Sequence, residues 1–196
     1  RFYNATRASF WQFSLSARYA PSDDVEIVPF IARSEGFDQT GPIFLPAGEG
    51  LPPRLPRRFF KGPDWARYRG VAFNGGVLGT WRPGPGWELR AGIFRSLFND
   101  ARGFANLVTD LDQAGNGEQL VIADPPVKFA STSGELRLTH SFREGPRAHR
   151  IHASVRARAG DRRFDGSDFI DLGPTTIFAP TTAPVPAFSF GEQQKD

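Results

Sequence analysis

The segment from Val71 to Asn99 constrains the fold most, because it has the pattern of one long β-hairpin. Side chains alternate between the two faces of a strand, so every second residue shares a face. One face is apolar or glycine on both arms: Val71, Phe73, Gly75, Val77, Gly79 and Trp81, then Trp87, Leu89, Ala91 and Ile93. The other face is mixed and charged. Folding the chain at Pro83-Gly84-Pro85-Gly86 predicts that Trp81 lies opposite Trp87.

A hairpin of the same kind is predicted over residues 9–34. Its two arms alternate around a turn at Ala20–Asp24, and Tyr19 is expected opposite Val25. Pro29 has no N–H to donate to a neighbouring strand, so it predicts an edge or a bulge in the return arm.

A third hairpin is predicted over residues 127–162. Its alternation places Phe142 opposite His149 on the apolar face. The same register places Glu135 opposite Arg156 on the polar face, and such opposite-charge pairs stabilise antiparallel strands. Three hairpins with one plan predict about six long strands.

The connections differ greatly in length between the two ends of these hairpins. Tight turns lie at one end, and the long connections 35–67, 100–126 and 164–196 lie at the other. The apolar face carries aromatic residues near the tight turns: Tyr19, Trp81, Trp87 and Phe142. Short turns on one side, long loops on the other and an aromatic girdle are typical of outer-membrane barrels. We therefore expect an all-β fold, an antiparallel transmembrane β-barrel segment with short periplasmic turns and long extracellular loops.

Composition is compatible with this interpretation and argues against several others. No apolar run approaches the ~18 residues of a spanning helix, and the mean hydropathy is −0.37. The chain has no cysteine, which excludes disulfide frameworks and thiolate sites. The net charge of +3 comes from arginines spread at strand period, so no nucleic-acid partner is expected. We expect no cofactor, no metal site and no catalysis, because no nucleophile-elbow pattern is present and strand alternation separates His152 from His140 and His149.

Two groups of residues are candidates for ligand binding. The first is a row of arginines on the polar face, which would form a positive field that draws in anions: Arg18, Arg90, Arg137, Arg143, Arg150, Arg156 and Arg158. The alternative is that these arginines pair with carboxylates of the wall or of a plug. The second group is aromatic and lies in the 35–67 connection: Phe59, Phe60 and Trp65. The glycines at 75, 76 and 79 are interpreted as marking a bulge or a site where another backbone comes close.

Several stretches resemble barrel segments of TonB-dependent outer-membrane receptors, in particular the siderophore-receptor branch. They are Ala17–Asp24, Arg33-Ser34-Glu35-Gly36 and Gly79-Thr80-Trp81-Arg82-Pro83. The resemblance implies a barrel of about 22 strands with a plugged lumen, in which extracellular loops and the lumen bind a ferric siderophore and energised TonB rearranges the plug. The family's plug and TonB-contacting segment have no counterpart here, so we expect a partial barrel domain, residues 1–196, of a longer receptor in the outer-membrane lipid.

Two other functions remain open at this point. A passive anion-selective porin would suit the arginine row equally well. A soluble, secreted β-sandwich that binds carbohydrate would use Phe59, Phe60 and Trp65 to stack on sugars.

Overall fold

A computed structural model describes residues 5–48, 50–179 and 183–195. Residues 49, 180–182 and 196, which fall in the predicted long connections, lie outside the described residues. The described chain is all-β, and its strands are β1 (Ala8–Ser16), β2 (Tyr19–Ser22), β3 (Val25–Gln39), β4 (Pro42–Pro46), β5 (Arg67–Gly84), β6 (Trp87–Leu111), β7 (Asn116–Asp124), β8 (Val127–Glu144), β9 (Arg147–Phe164), β10 (Asp168–Thr176) and β11 (Gln194–Lys195). Within these ranges, no helix is long and apolar enough to cross a membrane.

One large antiparallel sheet runs through the molecule in the order β1-β3-β5-β6-β8-β9-β11, and β2 also pairs with β3. We call its main part, β1–β3, β5, β6 as far as Asn99, β8 and β9, the wall. The sheet does not close on itself, because β1 has β3 as its only neighbour along this path. The all-β, antiparallel prediction is confirmed, but the count of about six strands is wrong, since the described chain has eleven.

The three hairpins of the wall turn within two residues each, between β2 and β3, β5 and β6, and β8 and β9. In the third hairpin the register is as predicted, with Phe142 opposite His149 and Glu135 opposite Arg156. In the second hairpin Trp81 lies opposite Leu89 instead of Trp87. The register shifts between Trp81 and Gly84, so the prediction is out by two residues. An even shift leaves every side chain on its predicted face.

The first hairpin differs from prediction in the same way, because Tyr19 lies opposite Ile27 instead of Val25. A register shift between Tyr19 and Ser22 is the cause. The edge or bulge expected at Pro29 is not found, because β3 has a strand on each side and Pro29 lies in register opposite Val77. The Ala17 amide donates to the Pro29 carbonyl at 3.1 Å, but proline has no N–H to return. The outer strand is interrupted there, between β1 and β2.

The long connections contain a second group of strands, which the sequence pattern did not predict. Strand β6 continues beyond the wall, where residues 103–109 pair with β7. Strand β10, from the predicted tail 164–196, pairs with β7, and β4 runs parallel to β6. We call β4, residues 103–111 of β6, β7 and β10 the loop sheet. The predicted long loops 35–67, 100–126 and 164–196 are thus partly ordered strands.

The loop sheet contains the hydrophobic core that the described residues form. Val108, Leu111 and Ile177 are fully buried, and Phe44 and Leu55 pack against them. Polar groups buried nearby are hydrogen-bonded: the Gln119 amide donates to Asn106 Oδ1 at 2.7 Å. The buried Lys61 ammonium donates to Thr175 Oγ1 at 3.1 Å and to the Ala179 carbonyl at 2.6 Å. Burial lowers the pKa of Lys61.

The glycines of β5 serve the wall itself. Gly76 lies between Phe30 on β3 and Phe94 on β6 in one cross-strand row. The two rings stack above it, with centroids 5.8 Å apart. A Cβ at Gly76 would collide with the Ile93 carbonyl and would lie 2.8 Å from the Phe30 ring. The close neighbours of this glycine are therefore the backbone of β6, as the close-approach interpretation expects, and an aromatic side chain of β3.

Candidate functional site

The predicted arginine row lies on the polar face of the wall, the face of Glu26, Arg90 and Glu135; we call it the concave face because cavities open on it, and the opposite face the convex face. Cavities of about 700, 560 and 470 Å³ open on this face. The largest lies beside the tight turns and is bounded by Arg82, Arg90, Arg137, Arg150 and His152, among others. Alternation on β6, β8 and β9 brings these side chains together, because cross-strand partners share a face. The cavity therefore presents several guanidinium groups to whatever fills it.

Carboxylates of the wall neutralise part of this positive charge. Arg18 pairs with Glu26 at 2.6 Å. Glu88 accepts Arg90 at 2.8 Å and Arg82 at 3.5 Å. Both acidic residues come from the polar face of the hairpins, so the sequence-level alternative of arginine–carboxylate pairing is correct for these residues.

Glu135 is also shared between two arginines. Its carboxylate oxygens lie 2.7 Å from Arg137 and 2.7 Å from Arg156. Because Glu88 and Glu135 each serve two arginines, three carboxylates face five arginines in these pairs. The face keeps an excess of positive charge.

Further arginines of the row have uncharged partners. Arg150 donates to Ser141 Oγ at 3.2 Å. Arg143 lies opposite Ala148, and Arg158 opposite Ser133. These side chains have no acidic residue across the strand, and they are suited to bind an anion because guanidinium groups match carboxylate and phosphate geometry.

The aromatic candidates lie apart from the arginines. Phe59 and Phe60 are half-buried in irregular chain before β5. Trp65 packs edge-on against Phe104 at 5.7 Å between ring centroids and lies 6.0 Å from Phe188. The rings of Trp65, Phe104 and Phe188 line a separate cavity of about 450 Å³, whose lining also includes Arg67 and Arg102. The structure therefore does not join the two groups of candidates into one site.

Much of the Trp65 side chain is committed to packing. Its indole N–H donates to the Ala183 carbonyl at 2.9 Å, which ties the chain before β5 to the segment after β10. Because contacts within the protein use both the N–H and much of the ring, the sugar-stacking role predicted for Trp65 is poorly supported by this geometry.

The three histidines are divided between the two faces, as predicted. Thr139 and His152 are cross-strand partners, and their side chains are 2.9 Å apart. His140 and His149 lie on the opposite face in a stack of rings with Trp87 and Phe142, with successive centroids 4.0, 5.3 and 5.0 Å apart. Among the described residues, no group of three or more histidine, aspartate or glutamate side chains is placed to hold a metal ion.

Sequence reasoning missed Arg82 as a member of the basic cavity. Arg82 continues the polar face beyond Thr80, but it directly precedes the Pro-Gly turn and is not among the arginines predicted to form the row. Its backbone amide donates to the Asp24 carbonyl at 2.8 Å, so β5 is also hydrogen-bonded to the turn between β2 and β3. Strand alternation could have identified Arg82, because residues 80 and 82 are two positions apart and therefore lie on the same face.

The fold is similar to the crystal structure of BauA, the ferric preacinetobactin receptor from Acinetobacter baumannii. The TM-score is 0.73 at 14% sequence identity, and the match covers 96% of this chain and 29% of the BauA chain. No protein-family model matches the chain, and no curated protein matches it in sequence. At this identity the likeness shows the fold alone: an all-β, open antiparallel sheet resembling part of a siderophore receptor.

Proposed function

We propose that this chain forms part of the barrel wall of a TonB-dependent receptor in the outer membrane, which takes up a ferric siderophore or a similar scarce solute. The chain spans about a third of the length of the receptor that it matches in structure, so the activity belongs to the assembled barrel. In this proposal the tight turns face the periplasm and the loop sheet faces the medium.

One observation carries the proposal: the wall has a continuous apolar face that the chain does not cover. Leu15, Ile31, Ile93, Leu138 and Val155 are all exposed large hydrophobic residues of this face. Exposed apolar patches of this extent mark contact with a membrane or another protein. A period-two apolar face across neighbouring antiparallel strands is the pattern by which a barrel contacts lipid.

The concave face supports the second half of the proposal. In a closed barrel it would line the lumen, and its excess of guanidinium groups would attract an anionic ligand. The protein performs no bond chemistry in this proposal: it binds ligand at the loop sheet and lumen, and TonB acts on a plug that occupies the lumen.

A passive anion-selective pore is a second candidate, favoured by the same charge excess. The two differ in whether uptake needs TonB. The soluble β-sandwich has little support, because a sandwich buries the inner faces of two sheets against each other, whereas large hydrophobic residues of the wall are exposed.

Expression of the protein in its full reading frame in a Gram-negative host tests the proposal. We expect the product to fractionate with outer membranes, to need detergent and to migrate differently when unheated. Uptake of labelled ferric siderophore should depend on TonB; TonB-independent passage of small anions would favour the pore. A protein that is monomeric and cooperatively folded in plain buffer would overturn the membrane proposal.

A further inference from the structure

The convex face of the wall carries a cation at the same end of each of six strand segments. Beyond the turn residues Glu144 and Arg147, each run of outward residues is uncharged apart from histidine until it reaches a basic side chain or, on β9, Asp161 followed by Arg163. We call these cations the cation row: Arg7, Arg33, Arg69, Arg95, Lys128 and Arg163.

The register confirms that the row belongs to the convex face. Arg33 lies opposite Phe73, and Phe73 lies opposite Leu97. Arg95 lies opposite Gly75 and Thr132, which continue the apolar runs of β5 and β8. The basic side chains are therefore staggered along the strands, with Arg95 deepest in the apolar band and Arg69 nearer the loop sheet. All of them lie in the half of the face next to the loop sheet.

Two of these arginines lie over aromatic rings of the same face. The Arg33 guanidinium is 5.7 Å from the Trp11 ring centroid, and that of Arg69 is 5.4 Å from the Phe37 centroid. Both arginines pair with the Glu35 carboxylate. A guanidinium nitrogen of Arg69 lies 2.6 Å from one carboxylate oxygen, and a guanidinium nitrogen of Arg33 lies 3.7 Å from the other. Arginines over aromatic rings suit the boundary between apolar and polar surroundings, where the ring is buried and the charge is not.

Carboxylates neutralise little of the charge on the remaining cations of the row. Arg163 lies 3.6 Å from Asp161, and Arg95 donates to Thr132 Oγ1 at 2.7 Å. Lys128 is exposed opposite Asn99. The six cations of the row thus face two carboxylates, Glu35 and Asp161, so 6 − 2 leaves four positive charges in excess.

The opposite end of the convex face has a different character. Its outward residues beside the tight turns are mostly aromatic or histidine: Tyr19, Trp81, Trp87, Phe142 and His149. The charged residues of the β8–β9 turn on this face, Glu144 and Arg147, are one of each sign. The cations of the concave face, in contrast, are concentrated at that turn end. The cation row is therefore a separate feature of one boundary of the apolar band.

We propose that the cation row binds phosphate groups of lipid headgroups in the leaflet next to the loop sheet. This inference rests on the proposed membrane location of the wall. Guanidinium groups bind phosphate with paired hydrogen bonds, and cations beside a membrane surface attract anionic headgroups. One cation on each neighbouring strand matches a lipid with more than one phosphate, which can bridge adjacent strands.

The test compares two double variants of the protein expressed in its full reading frame. Arg95→Gln with Lys128→Gln removes two cations of the row from neighbouring strands, four residues apart in register, and neither has an acidic partner across the strand. Arg54→Gln with Arg57→Gln removes two exposed cations from the irregular chain before β5, outside both faces of the wall, and serves as the charge-matched control. Heat-modifiable migration verifies that each variant folds.

Binding of purified protein in detergent micelles to diphosphorylated lipid A, and to the same lipid without phosphate, is measured by native mass spectrometry. We expect the row variant to bind the phosphorylated lipid about tenfold or more weakly, the control to bind like wild type, and the phosphate-free lipid to show no difference. Equal affinity in all three proteins, or an equal loss in the control, would overturn the inference.

The two proposals fail in distinguishable ways. A wild-type protein that does not fractionate with outer membranes contradicts the proposed function. A protein that fractionates correctly but shows no phosphate-dependent lipid binding contradicts the cation row alone.

Discussion

The wall and the loop sheet are both built from β-strands, yet they bury their apolar side chains in different ways. In the loop sheet Val108, Val121 and Ile177 are almost completely buried within the chain. In the wall Leu15, Ile151 and similar residues remain largely exposed. Burial of apolar area is the main driving force of folding, so the loop sheet carries its own source of stability and the wall depends on its surroundings.

This difference shows that alternation alone does not say what covers an apolar face. A period-two pattern is equally compatible with a protein core and with lipid. Strand length and the arrangement of connections distinguish the two cases: the wall strands β5, β8 and β9 have 18 residues each, whereas β7 and β10 have nine. The predictions below test this contrast, beginning with the largest expected effect.

Truncation of the loop-sheet core should have the largest effect. Ile177 is 1% exposed, and Ile177→Ala should destabilise the loop sheet by about 2–5 kcal/mol, because it removes transfer energy and leaves a cavity. Ile151 on the convex face of the wall is 60% exposed, so Ile151→Ala is the matched control, with a smaller expected loss. Hydrogen exchange of the β7 and β10 amides measures the change. Equal effects at both positions would show that the wall also has a core.

A charge introduced on the convex face should destabilise the protein folded in a membrane. Leu138 lies between Leu89 and Ala153 in the apolar band. Leu138→Arg should cost about 2–4 kcal/mol near the bilayer midplane, measured by refolding into vesicles. Ser131→Arg is the control on the same strand, because Ser131 borders a cavity of about 410 Å³ on the concave face. If Ser131→Arg is the more harmful change, the assignment of the two faces is reversed.

A side chain at Gly76 should disturb the wall by overpacking. Gly76→Ala forces a methyl group against the Ile93 carbonyl and the Phe30 ring, and we expect a loss of about 1–3 kcal/mol in unfolding free energy. Gly79→Ala, in the same strand, is the control, since the nearest atom to its added Cβ is 3.9 Å away. Denaturant unfolding in detergent micelles measures both. A neutral Gly76→Ala would mean that the Phe30–Phe94 stack moves freely.

The smallest effect is expected at the turn between β6 and β7. Asp112 Oδ1 accepts the Asn116 amide at 2.7 Å, and hydrogen bonds from the Asn116 backbone and side chain lower the pKa of this carboxyl. The turn should therefore be fully stabilised above the usual pKa of aspartate and lose this contribution as the pH falls through the lowered pKa.

Asp112→Ala should accelerate exchange of the Asn116 amide and remove this pH dependence. Glu118→Ala, at a nearby exposed carboxylate, should leave both unchanged. Persistence of the acid-dependent loosening in Asp112→Ala would mean that another group is responsible.

The strands of the wall could be predicted because the patterns that specify them, residue alternation and short turns, lie within short stretches of the sequence. Alternation assigned Leu138 and Glu135 to opposite faces, and the short Glu144–Arg147 turn determined the register of its hairpin correctly. The Tyr19 and Trp81 registers were wrong by two residues because irregular pairing beside their turns adds residues that alternation does not reveal. Such irregularities depend on turn geometry as well as on side-chain period.

The candidate site was predictable only in part. Alternation placed Arg90, Arg137 and Arg156 on one face, but it did not identify which carboxylate each one contacts, since Arg137 reaches Glu135 on its own strand. It also did not separate Trp65 from this face, because the packing of Trp65 against Phe188 joins residues far apart in the chain.

By itself, the sequence determined the long strands of the wall, the faces of their side chains and the end at which the tight turns lie. These features follow from residue alternation and from turn chemistry within a few positions. The tertiary structure alone decided that residues 103–124 and β10 form an ordered sheet with a core. Its strands are stabilised by partners distant in sequence, and burial against such partners leaves no local pattern strong enough to predict them.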